Sequence, residues 1–281
     1  MNRSVVLLAR SDGDWLKVGS IDFRPHSSGE AMRRLILFTA ALLLALPVLA
    51  ADTPAHIAAA VAAPERSAKD RERDARDKPA ELLTFAAVEP GMKVVDFFGG
   101  GGYWTELFVR AVGPGGSVTL VNNAPYWNFG KDDLKTRFAE GRLKNATPRV
   151  VETCALDLGK AQYDLIEIFM SYHDLYWVEE EAGWPAINAD AVLRQLHDAL
   201  KPGGRLLIVD HSAAAGTGKS SASTLHRIEE SFAQQDIENH GFRLEKNWDG
   251  YRNSADDKSK LVFDPAVRGK TDRFVHLYRR R

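Results

Sequence analysis

The chain has 281 residues, 44% of them hydrophobic and 27% charged, with a net charge of −1. That make-up suits one globular domain with some sequence to spare, and it carries no basic footprint for nucleic acid. A single cysteine, Cys154, excludes an internal disulfide framework and any multi-cysteine metal site.

The spare sequence stands at the front. Residues 1–31 show no sustained period and are expected to be an upstream extension without structure of its own. From Met32 the order is Arg33, Arg34, an apolar run from Leu35 to Leu46, Pro47, and the small-residue spacing Val48-x-Ala50. This is the layout of a secretory signal peptide over residues 32–50. The run is short of the roughly 20 apolar residues that a membrane span needs. Translation from Met32 and cleavage after Ala50 are therefore expected, with no stable membrane insertion afterwards and a periplasmic or secreted product. The first 50 residues hold six Lys or Arg and four Asp or Glu, so the remainder carries a net charge of −3.

Residues 51–88 read as a helical flank, rich in Ala, Arg, Asp and Glu, broken at Pro64 and restarted at Pro79. Its charges read as a solvated face. Residues 89–281 read as one domain. Pro90-Gly91 is a turn, Val94-Val95 open a buried strand, and four glycines, Gly99 to Gly102, follow it. "YWTELFVRAV" is helical and "GPGG" stops it. "SVTLVNN" is a second strand and "RVVETCALDL" a short third with a polar tail. "YDLIEIFMSYHD" is the most apolar strand. In "ADAVLRQLHDAL" Val192, Leu193, Leu196 and Leu200 share one helical face, with Gly203 and Gly204 expected at the C-cap. "RLLIVDH" is another buried strand. "STLHRIEESFAQQDIENHGF" reads as one helix ending near Gly241. "FRLEKNWDGYRN" and "RFVHLYRR" alternate as antiparallel edge strands do. Strands alternating with helices imply an α/β fold with a mostly parallel sheet and right-handed crossovers.

A glycine turn after the first strand lies at the carboxyl edge of such a sheet, where ligands bind. The order D-x-x-G-G-G-G-Y-W-T, a second strand with a polar end, "ALD", an apolar fourth strand, "LKPGG-RLLIVD" and two terminal strands resembles the class I S-adenosylmethionine-dependent methyltransferases. The resemblance covers about residues 80–281. More narrowly, "RDARDKPAELLTF", "DFFGGGGYWTE", "YHDLYW", "HRIEESF" and "YRNSADD", in this order, resemble the exported predicted methyltransferases of bacteria. The resemblance implies a Rossmann-like, doubly wound seven-stranded sheet with an antiparallel C-terminal strand. It also implies S-adenosylmethionine as cofactor and methyl transfer to a small-molecule acceptor.

The donor offers an amino group, two ribose hydroxyls and an adenine amine, and no pyrophosphate. On the resemblance, Asp96 stands near the methionine moiety, Asn122 at the ribose and Asp157 at the adenine amine, with Gly99, Gly100, Gly101 and Gly102 admitting the ligand. Two departures matter. Phe98 stands where the usual pattern has a glycine, and Asn122 stands where an acid usually takes both ribose hydroxyls. Amide acceptors are weaker than carboxylates, at a cost of about 1 kcal/mol.

The segment after the fourth strand carries Tyr172, His173, Asp174, Tyr176, Trp177 and Trp184 and reads as a substrate wall, or else as a loop packed on the sheet edge. His173 is the candidate general base, since an unperturbed imidazole with pKa about 6.5 is mostly neutral near pH 7. Asp174 orients it only if a turn brings both to one ligand. His211 is a second catalytic candidate. His226 and Arg227 face an anionic substrate or brace a helix. No metal site is expected, because Asp174, Asp210 and His211 lack a local ligand spacing. The rival functions are an exported ligand-binding protein that kept the fold without turnover, and a nicotinamide-dependent oxidoreductase.

Overall fold

The computed structural model describes residues 4–11, 14–22 and 53–281. Residues 32–50, with the expected signal peptide and its cleavage point, lie outside them.

Strands β1 (Ser4–Ser11) and β2 (Asp14–Asp22) pair antiparallel, with a register shift between Leu7 and Leu8. These strands lie within the stretch 1–31 expected to carry no structure; the rest of that stretch lies outside the described residues. Their register sets Val5 opposite Ile21 and Ala9 opposite Leu16.

Residues 53–281 form a separate unit. Three helices open it: α1 (Ala55–Ala62), α2 (Ala68–Asp77) and α3 (Pro79–Phe85), broken at the prolines as expected. Ser67 caps α2 by accepting from the Asp70 N–H, and Pro79 opens α3, where its missing N–H costs nothing. The alternation then runs β3 (Lys93–Phe97), α4 (Tyr103–Val112), β4 (Ser117–Asn122), α5 (Ala124–Phe138), β5 (Ala146–Val150) and β6 (Tyr163–Phe169). It continues through α6 (Ala189–Ala199), β7 (Leu200–His211), α7 (Ala222–Leu225), α8 (Glu230–Asn239), β8 (Phe242–Asn247) and β9 (Arg273–Arg280).

The seven strands stand in the order β5-β4-β3-β6-β7-β9-β8. Pairing is parallel throughout except at β9, which runs antiparallel to both neighbours. Among the described residues, no helix is long and apolar enough to cross a membrane.

Apolar residues cover both faces of the sheet. Val94, Leu165 and Leu207 pack with Leu107, Phe108 and Val112 of α4 on one side. Val95, Ile166 and Ile208 pack with Val192, Leu193 and Leu196 of α6 on the other. Each fully buried Leu or Phe contributes roughly 1.5–3 kcal/mol.

Three local expectations are corrected. Helix α6 ends at Ala199, and Leu200, fully buried and paired with Tyr163, already belongs to β7. Gly203 and Gly204 therefore serve a bend within the strand; a Cβ on Gly204 would come 2.9 Å from the Lys201 carbonyl. The single helix expected before Gly241 is two, α7 and α8, broken at His226 (φ +50°) so that Ile228 can bridge to Ser212. Strand β9 is interior, buried from Arg273 to Tyr278, and β8 alone of the last two is an edge.

Candidate active site

The glycine turn joins β3 to α4 at the carboxyl edge of the sheet, with positive φ at Phe98 (+56°), Gly100 (+56°) and Gly102 (+77°). Its glycines are needed, but largely by the chain itself. A Cβ on Gly99 would sit 2.3 Å from the Asp96 carboxyl. One on Gly101 would meet Asp133 at 3.0 Å, and one on Gly102 would meet Leu134 at 3.1 Å and Arg137 at 3.2 Å. Helix α5 lies so close that a Cβ on its own Gly130 would be 2.6 Å from Gly101 N. Arg137 locks this contact, donating from Nε to the Gly101 carbonyl at 3.0 Å and pairing with Asp70 and Glu106.

Asn122, expected at the ribose, is fully buried and spent on the turn. Its Oδ1 accepts from Gly100 N–H at 3.0 Å, and its Nδ2 donates to the Gly100 carbonyl at 2.9 Å. Asp157 is exposed and caps a tight turn by accepting from Gly159 N–H at 2.8 Å. Phe98, whose left-handed backbone turns its ring inward, stacks on Tyr126 at 4.9 Å and 6° and meets Trp184 edge-on. From there an aromatic row continues through Trp184, Trp177, His226 and the exposed Phe263, with successive ring centroids 5.0–5.2 Å apart.

On the α4 side of the sheet, Asp96 and Glu167 stand side by side in register. Thr105 Oγ1 donates to Asp96 Oδ2 at 2.5 Å, while Asp96 Oδ1 and the Glu167 carboxyl oxygens are buried with no partner but each other. Burial pushes the Asp96 carboxyl up, against the Thr105 hydrogen bond. Burial and then the neighbouring Asp96 charge push Glu167 well above the usual range. Two buried carboxyls with so few donors around them are costly. They would be satisfied by a cationic donor such as an ammonium. The methionine end of S-adenosylmethionine thus has fitting partners. The adenosine end does not in this conformation: the Asn122 amide is used up, and the Phe98–Tyr126 stack fills the space beside it.

A second cluster forms where β6 and β7 end. A single turn of 3₁₀ helix, His173–Leu175, brings His173 and Asp174 to one point, as their joint use requires. Asp210 accepts from the His173 backbone N–H at 2.7 Å, and its Oδ1 lies 2.8 Å from His173 Nδ1. His173 Nε2 lies 3.2 Å from Asp174 Oδ1 and 3.3 Å from His226 Nδ1. The Tyr126 hydroxyl donates to the other Asp174 oxygen at 2.6 Å. Burial lowers the His173 pKa, but the Asp174 and Asp210 charges outweigh it and push it up to about 10. The ring is thus held protonated near neutrality, not neutral as the unperturbed value suggests. Asp174 is held well below the usual carboxylate range: burial raises it and the His173 charge more than reverses that. His211 goes the other way, pushed well down by burial and then by the His173 charge, with Nδ1 2.7 Å from the Thr271 hydroxyl.

The expected substrate wall divides. The Tyr172 and Tyr176 phenols both donate to Asp236 of α8 and brace that helix. Arg227 is fully buried in a two-pronged pair with Asp256 at 2.8 and 3.1 Å and donates to the Ser212 and Lys260 carbonyls, so it anchors the α7–α8 break and offers nothing to an anion. Trp177 and His226 remain half-buried, with ring centroids 5.0 Å apart. Two residues went unnoticed in the sequence. Glu167 had a signal, a carboxylate inside the most apolar strand. Tyr126 had none, since only folding brings α5 over the turn.

The family model described as a methyltransferase domain matches residues 67–250. The chain is 28% identical over 167 residues to the ubiquinone/menaquinone biosynthesis C-methyltransferase of Shewanella pealeana, covering 59% of each protein. It is 30% identical over 131 residues to that of Shewanella frigidimarina, covering 46% of this chain and 47% of the other. The chain thus spans less than two thirds of the length of these curated relatives. Among solved structures it is similar to a SAM-dependent methyltransferase from Aquifex aeolicus, with TM-score 0.51, 19% identity, and coverage of 75% of this chain and 96% of that one. It is likewise similar to a putative sarcosine dimethylglycine methyltransferase from Galdieria sulphuraria, with TM-score 0.53, 18% identity, and coverage of 76% and 88%. At these identities the structural likenesses speak for the fold.

Proposed function

The chain belongs to the methyltransferase-domain family, and on that premise we propose that it transfers the methyl group of S-adenosylmethionine to a small acceptor lying along the aromatic row. The observation that carries this reading is the pair of buried, under-satisfied carboxyls, Asp96 and Glu167, beside the glycine turn. They bind the donor's ammonium. When bound, the donor supplies an electrophilic methyl on sulfur. Trp184 and Trp177, beyond the Phe98–Tyr126 stack, orient a flat, apolar acceptor and exclude water, which supports in-line placement. The quinone-type names of the curated relatives agree with such an acceptor. Calorimetry of the full chain with S-adenosylmethionine, S-adenosylhomocysteine and NAD tests the reading. Binding of the first two is expected; binding of NAD alone overturns it.

One observation favours a second reading, ligand binding without turnover. Asn122 and the Phe98–Tyr126 stack close the adenosine end. A bound donor with no methyl transfer to any of a panel of phenolic and quinol acceptors would support it.

The protein works outside the cytoplasm after cleavage behind Ala50. The support is the Arg-Arg, apolar run and Val-x-Ala order. Intact-mass measurement on cell fractions should find a chain beginning at Ala51; one retaining residues 32–50 in the membrane fraction overturns this.

A further inference from the structure

Three side-chain atoms from two separate segments converge at the carboxyl edge. His173 Nε2, His226 Nδ1 and Asp174 Oδ1 are 3.2, 3.3 and 3.6 Å apart pairwise. A tetrahedral ion bound at about 2.0–2.2 Å spaces its ligands at roughly 3.3–3.6 Å. A circle through the three atoms has a radius of about 2.0 Å, so a point about 2.1 Å from all of them exists. We propose that His173, His226 and Asp174 form a binding site for a borderline divalent transition-metal ion of the zinc type.

The surroundings are those of a built site. Asp210 Oδ1 holds His173 Nδ1 at 2.8 Å, the carboxylate–histidine arrangement that fixes a ligating ring and turns its other nitrogen to the metal. Tyr126 occupies Asp174 Oδ2 and leaves Oδ1 facing the two imidazoles. His226 reaches the point from a strained left-handed backbone at the α7–α8 break. The buried Arg227–Asp256 pair, one residue on, fixes that break. An ion bound at this point displaces the proton that the Asp174 and Asp210 charges otherwise hold on His173, and then takes one lone pair from each of the three atoms.

Two imidazoles and one carboxylate suit zinc, cobalt or ferrous iron, and disfavour magnesium and calcium, which prefer all-oxygen sets. His211 is not among the side chains whose ligand atoms converge at this point. Three protein ligands leave a coordination position open, as in catalytic sites. His226 also borders Trp177 and Phe263 of the aromatic row. An ion there would act as a Lewis acid on an acceptor hydroxyl. That role rests on the methyl-transfer reading; the site itself does not.

The test is titration of the chelator-treated full chain with cobalt(II) and zinc. One equivalent of cobalt should bind and give the intense visible bands of a four- or five-coordinate ion. His226→Ala and Asp174→Asn should each weaken zinc on the order of 100-fold, and Asp210→Asn roughly 10–100-fold. His240→Ala should change nothing, although His240 sits in another possible ligand group with Asp190 and Asp236. Thermal melts show whether each variant is folded. No saturable cobalt binding to the folded parent overturns the site, as does unchanged zinc affinity in folded His226→Ala and Asp174→Asn. Calorimetry with S-adenosylmethionine on the chelated and zinc-loaded protein separates the two readings. Zinc binding without donor binding sinks the methyl-transfer function and leaves the metal site standing; donor binding with no zinc binding does the reverse.

Discussion

Asn122 clasps the backbone of Gly100 from both sides, accepting from its N–H at 3.0 Å and donating to its carbonyl at 2.9 Å. Both bonds are fully buried. Asn122→Ala leaves two backbone groups without partners, at about 1–3 kcal/mol each. A loss of about 2–4 kcal/mol in denaturant unfolding is expected. Asn122→Asp keeps the acceptor, loses the donor and buries a charge. It should therefore destabilise the turn and fail to tighten donor binding. Tighter binding at unchanged stability would mean that the side chain swings to the ribose in the complex.

Gly130→Ala should run against helix propensity. In an exposed helix the change gains about 1 kcal/mol. Here the new methyl would stand 2.6 Å from the Gly100 and Gly101 backbone and must push α5 off the turn. Overpacking of this kind costs about 1–3 kcal/mol. A lowered melting temperature is expected; a raised one would show that α5 does not rest on the glycines.

Asp77 sets part of the acid stability. Burial pushes its carboxyl up, but hydrogen bonds and charges from Arg76 and Arg73 hold it down at about 2. A depressed carboxylate contributes stability that is fully present above its unfolded value near 3.8 and is lost as pH falls through about 2. The contribution is on the order of 2 kcal/mol. Urea unfolding between pH 5 and 2 should show a downward slope that Asp77→Asn reduces. The variant should also be less stable at pH 7, since it leaves Arg273 and its neighbours short of a counter-charge. Equal slopes in parent and variant would place the acid sensitivity elsewhere.

The strand and helix order was legible because periodicity reports burial, and "VVDFF", "DLIEIF" and "LLIVD" are buried on both faces. The glycine turn and the "YHD" turn were legible because each follows such a strand. What each residue does there was not. Asn122 and Asp157 have the right chemistry for a ligand but spend it on Gly100 and Gly159, and only coordinates show which partner is nearer. The neighbours of His173 come from Asp210 and His226, 37 and 53 residues on, so its charge state could not be read locally. The break before α8 was hidden for a similar reason. Arg227 reads as a helix residue until Asp256 is found beside it.

Phe98 is the residue on which the donor site turns. It stands at φ +56°, a conformation that costs a non-glycine residue about 1–2 kcal/mol, and it is nearly fully buried against Tyr126, Phe97 and Trp184. Aromatic packing therefore outweighs the backbone strain. Phe98→Gly relieves the strain and forfeits the packing; large-to-small changes at a buried Phe cost about 3–5 kcal/mol. A net loss of about 2–4 kcal/mol is expected. If the ring fills the space that the adenosine needs, its removal opens that space. Affinity for S-adenosylhomocysteine should then rise about tenfold, or ~1.4 kcal/mol. Phe98→Leu keeps most of the volume and the strain, and should leave affinity near the parent value. Calorimetry on folded variants decides. Weaker binding in Phe98→Gly would make the ring part of the wall that the donor rests against, and the stack on Tyr126 would then be the bound-state geometry.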